Sequence, residues 1–287
     1  MTSYPKNIQI FLPSGDPQGI RLAEITTRIL QVIEVPRSAL SEFLKMPESE
    51  QVAVYFLVGE SGDGAESSVY IGQTGDLRNR LPTHNKEKDF WERALILISK
   101  TNSLTQTHAL FLEWQCLKAT REAGRFADEN GNSGSKPHTP APLEADCVEI
   151  FETGRVLLST LGYPIFAPVA APSDDGNESE TFYFCKGSGA DARGLYTAEG
   201  FVVLKGSTGR KGNVTSIEGT SDARFRARLV EAGVMQEQGD KIVFTKDHLF
   251  RSPSMAAVAL QGRTANGWEE WKDGKGVTLN ILKRQST

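Results

Sequence analysis

The sequence has few cysteines and histidines, and this shortage excludes several kinds of site. Its 287 residues include three cysteines, Cys116, Cys147 and Cys185, and four histidines. The wide spacing of the cysteines fits neither a disulfide framework nor a CxxC zinc site. We therefore predict three buried thiols.

The chain also lacks the pattern of a membrane or secretory segment. No run approaches the roughly 20 apolar residues that a membrane span requires. The N-terminal sequence MTSYPKNIQIF has no basic region followed by an apolar stretch. We therefore expect no membrane partner and a cytoplasmic location.

An overall excess of basic charge is absent as well, since the net charge is −4. The average conceals an asymmetry. Residues 181–287 contain 16 Lys and Arg against 11 Asp and Glu, whereas residues 1–180 contain 16 against 25. The C-terminal part is therefore the basic one, which is compatible with phosphate binding and equally with ordinary solvated charge.

Length and composition predict two domains. A chain of 287 residues with 39% hydrophobic and 24% charged residues is globular in composition and longer than one core usually organises. A polar stretch rich in Asp, Glu and Ser places the main boundary near 165–180. We expect an N-terminal segment over 1–48, a first domain with its following linker and helix over 49–160, and a C-terminal domain over 181–287.

Short apolar, β-branched runs predict the strands of the first domain. VAVYFLV over 52–58 and SVYIG over 68–72 flank a polar, Gly-containing loop and predict a hairpin. ALILI over 94–98 predicts a third strand. The segment AEITTRILQVI over 23–33 has apolar residues at helical spacing, but its β-branched content also allows a strand.

Two helices are expected around these strands. Asp76 is a candidate cap for a short helix that ends at Leu81, because Pro82 follows. A long helix is expected from Thr105 to about Arg121.

Each strand of the hairpin carries a tyrosine. Because side chains alternate along a strand, Tyr55 shares a face with Ala53 and Leu57, and Tyr70 shares a face with Gly72. Both tyrosines are therefore expected on the less bulky face. A tyrosine in a strand is most often a core residue. Whether these tyrosines have a functional role therefore depends on the residues that follow them.

The segment YIGQTGDLRNRLPTH places Arg80 and His84 after Tyr70. Strands written AVY and YIG, followed by a helix that bears an arginine, resemble the GIY-YIG nuclease domain. In that family the first motif usually begins with Gly, where Ala53 stands here. The resemblance covers about residues 50–135. It implies an α+β fold with a small three-stranded antiparallel sheet flanked by helices, and a second small α+β domain would follow.

The family also requires a glutamate on a helix downstream of the third strand, and Glu113 in HALFLEWQCLKA matches that order. Independently, a carboxylate between Leu112 and Trp114 is unusual, because burying an uncompensated charge is costly. A divalent cation would compensate. The resemblance implies that Glu113 holds Mg²⁺ or Mn²⁺, while a helix-surface glutamate is the alternative.

The resemblance also implies roles for the other residues. Arg80 would grip the scissile phosphate, Tyr55 would help to deprotonate the attacking water, and Tyr70 would position water or phosphate. His84 would relay protons or contact phosphate, and Arg78 would bind nucleic acid.

The implied activity is that of a metal-dependent endonuclease that hydrolyses phosphodiester bonds in nucleic acid, with DNA as the expected substrate. A nucleic-acid-binding module that no longer cleaves is the alternative. The family places an orienting asparagine near the end of the domain. Asn130 and Asn132 are both candidates, although both are also ordinary turn residues.

The C-terminal domain contains SPSMAAVALQGRTANGWEEW, which resembles a small domain of uncharacterised function commonly fused to such nucleases. Similar segments in restriction-associated proteins have been proposed to read modified DNA. Arg224, Arg226 and Arg228 would contact phosphate if they share one side, or would be solvated if they are spread around a helix. Trp268 and Trp271 are either core residues or platforms for base stacking.

Capping residues predict a helix and a turn in the same stretch. Ser252 and Ser254 are candidate helix caps, Gly262 is a candidate stop, and Asn266 with Gly267 predicts a turn.

Overall fold

The computed structural model describes residues 4–60, 67–131, 134–169 and 181–285. The chain divides into two compact units, Met1–Ala167 and Pro168–Thr287, and both are of the α+β class. In the part of the chain that is described, no helix is long and apolar enough to cross a lipid bilayer. The three cysteines are free and buried, as predicted.

The first unit is built on one seven-stranded sheet. In chain order its strands, β1 to β7, are Ile8–Phe11, Arg21–Ile25, Leu30–Pro36, Ala53–Glu60, Ser67–Thr74, Trp91–Ser99 and Ala127–Asp128. They lie in the order β1-β2-β3-β6-β4-β5-β7. The short β7 runs parallel to β5, and the other pairings are antiparallel.

This sheet is larger than the three strands expected from the sequence. The predicted hairpin is confirmed as β4 and β5, and the predicted third strand is β6. However, β3 pairs with β6 along its whole length, and β2 and β1 extend the sheet further. For residues 23–33 the strand alternative is therefore correct. Six of the seven residues of β3 are buried, so its apolar residues do not alternate with polar ones and the strand period is obscured.

The helices of the first unit, α1 to α4, are Leu40–Phe43, Leu77–Glu87, Gln106–Ala123 and Ala141–Thr160. The predicted long helix is α3. It begins after a capping box in which Thr105 and His108 each bond the backbone N–H of the other. It ends at Gly124, which has the left-handed φ of 61°.

Helix α2 continues past the point where the sequence predicts its end. Asp76 is the N-cap, as predicted, but the helix runs through Pro82. Proline removes one helical hydrogen bond. The helix persists because Leu77, Leu81 and His84 are buried along one of its sides. His84 therefore lies on the helix and not after it.

Each face of the first sheet carries a hydrophobic core. On one face Val54, Phe56 and Ile71 belong to a core that includes residues of α3 and α4. On the other face Tyr55 belongs to a core that includes residues of α2, and Tyr70 packs against it. Both tyrosines therefore lie on the α2 face, as the alternation of side chains predicts.

The second unit has its own seven-stranded sheet. Its strands, β8 to β14, are Phe182–Gly187, Ala190–Thr197, Gly200–Val203, Thr208–Arg210, Met235–Gln238, Lys241–Phe244 and His248–Phe250. Their order is β12-β13-β11-β9-β10-β14, and β8 pairs with β9. The helices, α5 to α7, are Ser221–Glu231, Pro253–Gln261 and Gly267–Glu270, and a π-helical turn covers Ile281–Gln285.

The helix ends of the second unit follow most of the capping residues predicted from the sequence. Ser252 is the N-cap of α6 and Gly262 ends it with a left-handed φ of 62°, whereas Ser254 lies inside the helix. Asn266 caps the short helix α7, which begins at Gly267 where a turn was predicted. Trp271 is fully buried, and its Nε1 donates to the Pro253 carbonyl at 3.1 Å. Of its two possible roles, Trp271 therefore has that of a core residue.

Arg226 lies in the interior of the second unit, which corrects its expected place in a surface cluster. Because α5 is a helix, Arg224 and Arg228 are exposed whereas Arg226 points inward. Its Nε donates to the Ala259 carbonyl at 2.9 Å, and Nη2 donates to the Arg210 carbonyl. Burial, followed by the charge of Arg210, lowers its pKa. The N–H groups of Arg226 therefore bond acceptors inside the unit, and Arg226 is not placed to bind a phosphate.

We predict that Arg226→Met lowers the free energy of unfolding of the second unit by about 3 kcal/mol, because buried carbonyl groups lose their donors. Arg228→Met, on the exposed side of the same helix, should change it by less than about 0.5 kcal/mol. Hydrogen exchange at β9 and β10 during a urea titration measures the second unit alone. Equal stability of the two variants would contradict this account of Arg226.

Candidate active site

The site begins with a close approach between two strands. Tyr55 of β4 pairs with Gly72 of β5, and a Cβ at Gly72 would overlap the ring and hydroxyl of Tyr55. Because Gly72 has no side chain, the phenol can lie across β5. The ring is fully buried there.

The hydroxyl of Tyr55 contacts two side chains of α2. The Nε of Arg80 donates to it at 3.1 Å, and Nε2 of His84 lies 2.8 Å from it. Arg80 and His84 are four residues apart, so they are neighbours on one side of the helix. Three residues selected by the resemblance therefore form one hydrogen-bonded cluster.

Tyr70 adds a second ring to this cluster. Its centroid lies 6.3 Å from the Tyr55 ring and 4.9 Å from the His84 ring. Arg80 also forms a hydrogen bond with Tyr70. The Nζ of Lys88 lies 4.3 Å from the centroid of Tyr70, within the range of a cation–π contact.

Glu113 reaches the same cluster from α3. Its half-buried side chain accepts a hydrogen bond from the backbone N–H of Gln73, the residue after Gly72. Burial raises the pKa of Glu113, and this rise is opposed by the Gln73 hydrogen bond and the charge of Arg80. Glu113 therefore lies close enough to Arg80 for the two charges to interact.

Asn130 takes the place of a neighbouring strand along the edge of β5. Beyond the end of β7, its Oδ1 accepts the backbone N–H of Ile71 at 2.9 Å, and its Nδ2 donates to the Ile71 carbonyl at 2.6 Å. Asn130 thus fixes the strand that carries Tyr70. Asn132, the other candidate, lies outside the described residues.

Burial determines how the cluster titrates. Burial, together with the charges of Arg80 and Lys88, lowers the pKa of His84 to about 4, so its ring is neutral at neutral pH. Burial also raises the pKa of Tyr55, although the hydrogen bond from Arg80 opposes this effect. The cluster therefore contains a neutral phenol and a neutral imidazole beside the Arg80 cation.

His84 is only 3% exposed, which argues against the direct phosphate contact that was one of its expected roles. Its Nδ1 has no hydrogen-bond partner within the described ranges. Among the described residues, the hydrogen bond of its ring is the one to Tyr55. His84 is therefore placed to position the Tyr55 hydroxyl and its proton.

Arg78 is not brought into the cluster. Its Nε donates to Ser49 Oγ at 2.9 Å, and its Nη1 forms an ion pair with Glu50 at 2.6 Å. Two residues along a helix correspond to about 200° of rotation, so Arg78 and Arg80 point in opposite directions. The contacts of Arg78 support a structural role for this residue.

Two residues of the site were missed by the sequence analysis. Gln73 contributes a backbone N–H, which has no signature in a sequence. Lys88 follows His84 by four residues, a helical spacing that brings the two to one side. Recognising it required a helix that continues past Pro82.

The comparison with known families concerns the second unit. Residues 183–283 match a family described as Domain of unknown function (DUF4357). This match covers less than half of the chain and is consistent with the expected C-terminal domain of uncharacterised function. No match to the GIY-YIG family is found, so that resemblance depends on the motifs and contacts of residues 50–135. No curated protein and no solved structure matches the chain.

We predict that the His84 ring stays neutral down to about pH 5, because its folded pKa is about 4. In the unfolded chain a histidine has a pKa of about 6.5, so the unfolded state binds more protons between these values. The stability of the first unit should therefore be complete above about pH 6.5 and fall as the pH drops towards 4. His84→Gln should remove this component. An NMR titration of the ring carbons with a midpoint near 6.5 would contradict the prediction.

Proposed function

We propose that the first unit is a metal-dependent endonuclease of the GIY-YIG type, acting on phosphodiester bonds in nucleic acid, with DNA as the favoured substrate. The observation that carries this proposal is the hydrogen-bonded cluster of Tyr55, Arg80 and His84, with Tyr70 and Glu113 beside it. Several residue types that phosphodiester hydrolysis requires are therefore gathered around one surface of β5 and α2.

Arg80 is suited to hold the scissile phosphate. Its guanidinium is exposed, and its Nε is fixed by Tyr55. No carboxylate of the described residues lies within ion-pair distance of it, and a phosphate would supply the missing anion. A guanidinium bonds phosphate oxygens through paired N–H groups, so the fixed orientation favours one pose of the substrate.

Tyr55 is the proposed acceptor of the proton from the attacking water, and because its side chain is fully buried, the water would have to enter the cluster to reach its hydroxyl. Its raised pKa means that it needs further positive charge before it can act as a base. Arg80 already provides part of that charge through its hydrogen bond. His84, neutral and 2.8 Å from the hydroxyl, fixes the direction of the phenol and of its proton.

Glu113 fits the place of a cation ligand. Its carboxylate is half-buried, burial raises its pKa, and a bound cation would favour the ionised form. Within the described residues, no group of three or more His, Cys, Asp or Glu side chains could hold a metal ion. Mg²⁺ or Mn²⁺ would therefore have Glu113 as its protein ligand, with water and substrate oxygens as the others. When bound, such a cation would neutralise the charge that develops on the phosphate.

A nucleic-acid-binding module that does not cleave is the second candidate. The observation that favours it is the raised pKa of Tyr55, because a phenol that keeps its proton cannot accept another from water. Both candidates use Arg80 in the same way. They differ in whether Glu113 and a cation are needed, and an assay of cleavage therefore separates them.

The proposed role of the second unit is to add affinity for nucleic acid. Arg224 and Arg228 are exposed on the same side of α5, four residues apart. Residues 181–287 also contain more basic than acidic side chains. Contacts of this kind to phosphates carry little sequence information and depend strongly on salt.

The test of cleavage uses a panel of single- and double-stranded DNA and RNA with Mg²⁺, Mn²⁺ or EDTA. We expect cleavage with a divalent cation and none with EDTA. Glu113→Gln should lower the rate by about 10²-fold or more, the scale for the loss of a main electrostatic group. Glu122→Gln, an exposed glutamate on the same helix, is the matched control and should leave the rate unchanged. Full activity of a folded Glu113→Gln variant would refute the assignment of the site.

Substitution of Arg224 and Arg228 by Gln tests the second unit. If each arginine contacts one phosphate of a duplex, the slope of log affinity against log salt should become shallower by about 1.8 for the double variant. The cleavage rate at saturating protein should not change, because the proposed reacting groups lie in the first unit. An unchanged slope would indicate that this face of α5 serves another purpose.

A further inference from the structure

Lys88 stands at the end of α2, on the side of the helix that carries His84. Its half-buried side chain places Nζ 4.3 Å from the centroid of the Tyr70 ring. Its charge also contributes to the lowered pKa of His84. Tyr70 is therefore contacted by two cations, since Arg80 forms a hydrogen bond with it as well.

Most cationic side chains of the first unit have an acidic partner. The described ion pairs include those of Arg21, Arg28, Arg37, Arg78, Arg93, Lys100, Lys118, Arg121, Lys136 and Arg155. Neither Arg80 nor Lys88 has a carboxylate within ion-pair distance among the residues that the structure covers. Glu113 interacts with Arg80 from beyond ion-pair distance, so the two cations beside Tyr70 have room for a further anion.

We propose that Lys88 binds a backbone phosphate of the nucleic-acid substrate, adjacent in the strand to the phosphate held by Arg80. This inference rests on the function proposed above and adds the path of the strand. The substrate backbone would cross Tyr70, with Arg80 and Lys88 on neighbouring phosphates. Sequence-independent binding near the cleavage point would then come from two cations arranged around one aromatic ring.

The spacing of charges along nucleic acid is compatible with this path. One strand of a duplex presents a phosphate about every 3.4 Å along the axis. Arg80 and Lys88 both interact with Tyr70, which makes them candidates to hold successive phosphates. The ring of Tyr70 holds the ammonium group by a cation–π contact without taking up its hydrogen-bond donors. The N–H groups of Lys88 that do not face the ring are therefore left for phosphate oxygens or water.

A purely structural role is the opposing account. Lys88 would then only stabilise the Tyr70 ring, and its loss would weaken the site without changing the number of phosphates contacted. The two accounts differ in the salt dependence of binding, because counterion release counts phosphate contacts.

The experiment measures binding of the full chain to a short fluorescein-labelled DNA duplex, and to its separate strands, by anisotropy in EDTA so that cleavage does not interfere. Lys88→Gln removes the charge, and Lys88→Arg retains it. Lys86→Gln is the matched control, an exposed lysine two residues earlier on α2. Each affinity is measured over a salt series from about 50 to 200 mM.

We expect Lys88→Gln to make the slope shallower by about 0.9 on the duplex and about 0.7 on a single strand. Between about 50 and 200 mM salt, the duplex affinity of the unsubstituted chain should fall about 3.5-fold more than that of the variant. Lys88→Arg and Lys86→Gln should keep the original slope.

An unchanged slope for Lys88→Gln, in a chain that binds the probe, would overturn the proposal and leave the nuclease assignment standing. A parallel loss of affinity at every salt concentration would do the same, because it indicates the structural role. Absence of binding by the unsubstituted chain to either probe, together with absence of cleavage of the nucleic-acid panel with Mg²⁺ or Mn²⁺, would reject both this inference and the function on which it rests.

Discussion

The missing side chain at Gly72 is the constraint on which the candidate site depends. Tyr55 lies directly opposite on β4, and any Cβ at Gly72 would occupy the space of its phenol. With that space open, the hydroxyl reaches Arg80 and His84 on α2. The absence of a side chain at Gly72 thus allows the hydroxyl of a buried tyrosine to form hydrogen bonds with two side chains of α2. Packing around the buried ring of Tyr55 holds its hydroxyl in place, and burial also raises its pKa.

A second constraint is the edge of β5, where the neighbouring strand β7 is only two residues long. Unpaired backbone groups at a sheet edge require partners. Side chains supply them here, because Asn130 bonds both the N–H and the carbonyl of Ile71, and Glu113 accepts the N–H of Gln73. Because β7 is short, the N–H of Gln73 is left for the carboxylate of Glu113 from α3.

The parts of the fold that local chemistry determines could be predicted from the sequence. The hairpin of β4 and β5 and the cap at Asp76 follow from alternation and side-chain hydrogen bonds. The extension of the sheet by β1, β2 and β3 could not be predicted, because β3 is buried on both faces and shows no clear period. Tertiary packing also keeps α2 helical past Pro82. The sequence predicts that the helix ends before Pro82, so it did not indicate that Lys88 lies near the site. The prediction that grouped Arg226 with Arg224 and Arg228 was wrong, because the side of α5 that faces the core is determined by the packing of the whole unit.

The candidate site combines side chains of opposite charge, which bears on the ligands that it could bind. Arg80 and Lys88 present positive charge beside Tyr70, which attracts phosphate, while Glu113 would repel it at short range. In a module that only binds nucleic acid, Glu113 would still accept the N–H of Gln73, but its charge would oppose the ligand and burial would disfavour its ionised form. The Gln73 hydrogen bond and the charge of Arg80 offset part of the cost of burial, and a cation bound together with the phosphate would offset more of it. In the proposed function, an anionic substrate and a divalent cation would each balance a charge that the other leaves, which is our reason for favouring phosphodiester hydrolysis over simple binding.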